Sequence, residues 1–84
     1  MIYYLLMCRT LTYAQRTARA LNRAAITAET RRAPGEVSSN GCGWCVKIPE
    51  NRLTDGLDIL RRNELMPSKI YMMYPDGTLT EVVV

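Results

Sequence analysis

Residues 2–8 of this chain, IYYLLMC, form an unbroken apolar run. The run is short enough for a buried strand and far short of the roughly 18 residues of a membrane-spanning helix. Its apolar residues occupy both parities, Ile2, Tyr4, Leu6 on one side and Tyr3, Leu5, Met7 on the other. Side chains alternate across a strand, so both faces of this one ask to be covered. KIYMMY, at residues 69–74, repeats the pattern with Ile70 and Met72 opposing Tyr71 and Met73. A fold with two such strands needs cover on both faces of its sheet.

The rest of the chain supplies cover for one face. Thr10 or Thr12 is suited to cap a helix. In that helix Ala14, Thr17, Ala18, Leu21 and Ala25 recur at spacings of three and four, leaving Arg16, Arg19 and Arg23 on another, exposed face. ITAETRR (26–32) reads as an edge strand, APGEVSSNG (33–41) as a loop, and CGWCVKI (42–48) as a strand that Pro49 ends. A second helix then turns Leu53, Leu57 and Leu60 inward, with Arg52, Asp55, Asp58, Arg61 and Arg62 outward. Gly56 within it costs roughly 1 kcal/mol relative to alanine, which points to a close packing contact. Pro75-Asp76-Gly77 marks a turn, and LTEVVV (79–84) folds back as a short extension. At 84 residues the chain is read as a single domain over 1–84. The order strand, helix, strand, strand, helix, strand is an α+β, ferredoxin-like split βαβ arrangement, an antiparallel sheet with two helices on one face. The uncovered apolar face then predicts a homodimer or higher homo-oligomer.

Three cysteines, Cys8, Cys42 and Cys45, are too few for a disulfide framework, and the chain has no histidine. That removes the commonest metal ligand and any Cys–His pair, so no metal and no cofactor are expected. The N-terminus, MIYYLLMCRT, lacks a basic leader and a small-residue cleavage site, so a cytoplasmic location without membrane attachment is expected. Cys-Gly-Trp-Cys has thioredoxin spacing, but a thioredoxin cysteine starts a helix and this one precedes a strand. Alternation sends Cys42 and Cys45 to opposite sides, leaving Cys45 as a small core residue. Cys42 stands between Gly41 and Gly43, at a loop end where the backbone can approach a ligand. Pairing of the first strand with the third brings Cys8 and Arg9 beside Cys42 and Gly43, near the first helix N-terminus, which favours a thiolate. Cys42 is thus the candidate sulfur acceptor and Cys8 the candidate resolving thiol.

APGEVSSNGCGWCVKI, together with the apolar opening strand and the helix start IPENRLTDGLDIL, resembles the selenium/sulfur carrier-like family. The likeness runs over essentially the whole chain, and the family's characteristic cysteine matches Cys42, with Gly43 after it and Ser38 and Ser39 before it. Asn40-Gly41 make the loop one residue longer than the family pattern, and Gly35 stands where a basic residue is common. The resemblance implies a non-enzymatic carrier. Cys42 would take sulfur or selenium from a donor protein, with Ser38, Ser39, Asn40, Gly41, Gly43 and Arg9 as the binding surroundings. The alternative is a small dimeric regulatory or ligand-binding module in which the cysteines are incidental. Nucleic acid is not the expected partner, because no RNA-recognition string accompanies the arginines.

Overall fold

A computed structural model describes residues 1–35 and 43–83. Its elements are β1 (Tyr3–Cys8), α1 (Leu11–Arg23), β2 (Glu29–Arg32), β3 (Trp44–Pro49), a single 3₁₀ turn (Glu50–Arg52), α2 (Leu53–Arg62), β4 (Lys69–Met73) and β5 (Leu79–Val82). The strands form one antiparallel sheet in the order β2-β3-β1-β4-β5. This is the ferredoxin-like arrangement with a fifth strand added outside β4.

The even-numbered residues of β1 set the larger core. Leu6 pairs with Val46 on one side and Ile70 on the other. All three are buried together with Ile48, with Ala14, Ala18 and Leu21 of α1, and with Leu57 and Leu60 of α2. Both helices therefore lie on this one face. Gly56 packs at ordinary distance, a Cβ there meeting Ile48 Cδ1 and Leu21 Cδ2 at 3.5 Å, so the expected close contact leaves room for a methyl group.

Thr10 caps α1, its hydroxyl accepting from the Tyr13 N–H at 3.1 Å. Both helices end in the same way. Ala25 and Glu64 take positive φ (63° and 56°), and the N–H groups of Ile26 and Leu65 then reach back to the Leu21 and Leu60 carbonyls. These are Schellman ends without glycine, fixed by burying the next residue, Ile26 or Leu65. Ala25 consequently leaves the packing stripe assigned to it and is exposed. The edge strand is also shorter than 26–32. The Asn22 side chain both accepts from the Ala28 N–H and donates to its carbonyl, at 3.2 and 3.1 Å, so Ala28 cannot join the ladder. The Pro75-Asp76-Gly77 turn closes as read, with Gly77 at φ 90° and Asp76 accepting from the Thr78 N–H at 2.8 Å.

The odd-numbered residues point away from the helices. Leu5, Met7 and Cys45 form a second buried cluster there, flanked by Ala33, Tyr71, Met73 and Leu79. The helix-free face is apolar at its centre, and charged at its margins by Glu29, Arg31, Lys47, Lys69 and Glu81. Lys47 lies with its Nζ 4.0 Å from the centre of the Tyr3 ring, covering part of that face with its own stem. No described helix is long and apolar enough to cross a membrane.

Candidate functional site

Cys42, Ser38, Ser39, Asn40 and Gly41 lie outside the described residues. The structure does describe the frame on either side of them. Cys8 pairs with Trp44 across β1 and β3, so the antiparallel register carries Arg9 towards Gly43. Gly43 is buried, and its carbonyl accepts from the Ala33 N–H, extending the β2–β3 ladder by one step. Arg9 is exposed, and Thr10 opens α1 directly after it. Ser68, which precedes β4, donates from its N–H and its hydroxyl to the Met7 carbonyl at 3.0 and 3.2 Å, pinning the same end of β1. Arg9, Gly43 and the start of α1 thus gather at one end of the paired strands β1 and β3.

The two described thiols are placed differently from each other. Cys8, read as a candidate resolving thiol at the strand end, belongs to the helix-side core and is only 4 % exposed. Its thiol donates weakly to the Leu6 carbonyl at 3.5 Å. Burial pushes its pKa from 9.0 up to about 11, against the lowering influence of the Thr17 hydroxyl, and the nearby Cys45 adds to the rise. Thr17 is itself fully buried, the polar member of the α1 packing stripe. Its Oγ1 has no hydrogen-bond partner among the described residues, so its influence on Cys8 is that of a neighbouring dipole. At neutral pH Cys8 is therefore a protonated core thiol, and it cannot meet a partner without opening this end of the sheet.

Cys45 is 1 % exposed, but on the helix-free face beside Leu5 and Met7. It borders a cavity of about 230 Å³ whose walls are Leu5, Arg31, Arg32, Pro34 and Met73. Burial raises its thiol pKa, while the Arg31 guanidinium, on the paired position of β2, acts in the opposite direction. Cys8 and Cys45 project from opposite faces of the sheet, so they can neither form a disulfide nor share an ion. Arg32 stacks over the Trp44 ring at 5.2 Å, which fixes the β2–β3 edge next to Gly43.

The Cys8 thiol makes stability depend on alkaline pH. The folded protein keeps this proton to about pH 11, whereas the unfolded chain releases it near 9.0. The contribution is therefore complete below pH 9 and is lost as pH rises through 9 towards 11. That span is worth about 2–3 kcal/mol. Urea unfolding of the wild type and of Cys8→Ala at pH 8, 9.5 and 10.5 should show the wild type falling more steeply. Parallel pH profiles would remove the assignment.

A family model described as "Putative Se/S carrier protein-like" matches residues 3–72, which include all three cysteines. No curated protein and no solved structure matches the chain.

Proposed function

The chain belongs to the Se/S carrier protein-like family, and from that premise we propose that Cys42 accepts sulfur or selenium and passes it on, without catalysing a reaction of its own. The observation that carries this reading is the state of the other two thiols. Cys8 and Cys45 are buried on opposite faces, both with raised pKa, which argues against them as acceptors and supports assigning the transfer to Cys42. In sequence it stands between two glycines, and Gly43 lies at the same end of the β1–β3 pair as Arg9 and the start of α1. A guanidinium and unpaired helix N–H groups favour a thiolate and a charged persulfide alike. Ser38, Ser39, Asn40 and Gly41 are the adjoining residues assigned to hold that charge.

In the transfer, the Cys42 thiolate attacks the outer sulfur of a persulfide on a donor protein. The donor's S–S bond breaks as the Cys42 S–S bond forms. The donor cysteine leaves as a thiolate, and takes up the proton that Cys42 released. One sulfane sulfur has moved between two thiols with no net oxidation or reduction. Cys8 has no part in this step, because its proton and its cover are both in place at neutral pH.

Incubation with a cysteine desulfurase and cysteine, followed by intact mass, tests the proposal. The wild type, Cys8→Ser and Cys45→Ser should each gain sulfur and Cys42→Ser should not. No added sulfur on the wild type, or equal addition to Cys42→Ser, would exclude it. We also propose that the helix-free face, with Tyr3, Tyr71 and Met73 half-buried, seats a second copy of the chain.

A further inference from the structure

We propose that the outer face of α1 is a docking surface for an acidic segment of another protein. Arg16, Arg19 and Arg23 project from α1 at i, i+3 and i+7 and all three are exposed. At 100° per residue they fall within about 60° of arc and span about 10 Å along the axis. No aspartate or glutamate occurs anywhere in Leu11–Arg23, so the helix offers its arginines no i,i+4 partner. The ion pairs among the described residues lie elsewhere, as Arg31–Glu29, Arg52–Asp55 and Arg61–Asp58. Arg23 gains from the helix dipole in the last turn, but Arg16 and Arg19 are too far from the C-terminus to do so.

The surroundings favour a protein over a nucleic acid. The three arginines edge a groove of about 230 Å³ whose floor is Ala20, Asn63 and Leu65. No aromatic ring lines it, so bases have nothing to stack on. Beyond Leu65, Met66 is exposed and its carbonyl accepts from the Tyr13 hydroxyl at 2.9 Å, and Leu11 is exposed on the first turn of α1. A row of guanidinium groups over a groove matches a partner that carries carboxylates on one helical row. Asp55 and Asp58 of α2 lie in a separate groove with Arg52 and Arg62, so they do not neutralise the α1 arginines.

The inference does not depend on Cys42, and its test keeps the two apart. The probe is a helical peptide with glutamates at i, i+3 and i+7, compared with single-stranded RNA of equal charge by fluorescence anisotropy. Peptide binding to the full chain should weaken as salt rises from about 50 to about 200 mM. It should fall roughly tenfold in Arg16→Gln/Arg19→Gln/Arg23→Gln, the sum of three modest ion pairs, and stay unchanged in Cys42→Ser. A charge-reversed chain, Arg16→Glu/Arg19→Glu/Arg23→Glu, should prefer a lysine peptide of the same spacing. Circular dichroism of both variants confirms that the fold is retained. Absence of peptide binding, equal affinity for the glutamine variant, or tighter binding of RNA through the same arginines would overturn the proposal.

Discussion

Leu6→Ala should lower stability by about 3–5 kcal/mol, the upper part of the range for truncating a buried leucine. Leu6 is 0 % exposed at the centre of the middle strand, with Val46 and Ile70 as its cross-strand neighbours. The α1 residues of the same core are Ala14, Ala18 and Leu21, and two of these have no further side-chain atoms to move into a void. A cavity left there stays open, and its cost adds to the lost transfer energy. A domain of this size has about 4–13 kcal/mol in total. The variant should therefore melt tens of degrees lower, or fail to fold at 37 °C, in a thermal scan followed by circular dichroism. A fall of less than about 1 kcal/mol would mean that the helices close onto the sheet and that the core is not packed as described.

Leu5→Glu should also unfold the chain, although Leu5 points the other way. From sequence alone Leu5 belongs to an uncovered face, where a charge would simply separate two copies of a folded chain. Leu5 is instead 2 % exposed, buried with Met7 and Cys45 among Tyr71, Met73, Leu79 and Ala33. A glutamate there loses the leucine burial and brings a carboxylate into the same space. Lys47 is the cross-strand neighbour on this face, but its ammonium group is engaged over Tyr3. The expected loss is at least about 3 kcal/mol at pH 7. Part of it should return on acidification, because a buried carboxyl is neutral below its raised pKa and the penalty appears as pH rises. Sedimentation and circular dichroism together separate the cases. Loss of folded signal at pH 7 with partial recovery near pH 4 is expected. A fully folded, dissociated monomer at pH 7 would show that Leu5 is an interface residue only. Half-buried Tyr71 and Met73 are the better positions at which to probe association.

Much of this architecture is written in local pattern. IYYLLMC and KIYMMY read as strands apolar on both faces, and β1 and β4 are neighbours in the sheet with β1 at its middle. The small-residue stripe of α1 and the leucines of α2 announced the face each helix buries. Element ends were less legible. Ala25 and Glu64 adopt a conformation that their identities do not signal, because burial of Ile26 and Leu65 outweighs the local backbone cost. Asn22 likewise removes Ala28 from β2 by a contact six residues away.

The candidate site divides in the same manner. The glycine-flanked Cys42 and the family likeness are properties of the sequence, and so is the parity that separates Cys45 from its neighbour. Reading Cys8 as a resolving thiol assumed that the end of a strand is accessible. Strand ends are exposed only if nothing packs over them, and here α1 follows β1 directly and buries Cys8 in the core that Ala14, Ala18 and Leu21 share. Alternation and periodicity determined which faces are apolar and which helix side carries the arginines, since both depend only on residues close along the chain. Which thiols lose their water, and which apolar face is covered by residues of its own sheet, depends on residues far apart in sequence. Only the tertiary structure decided those.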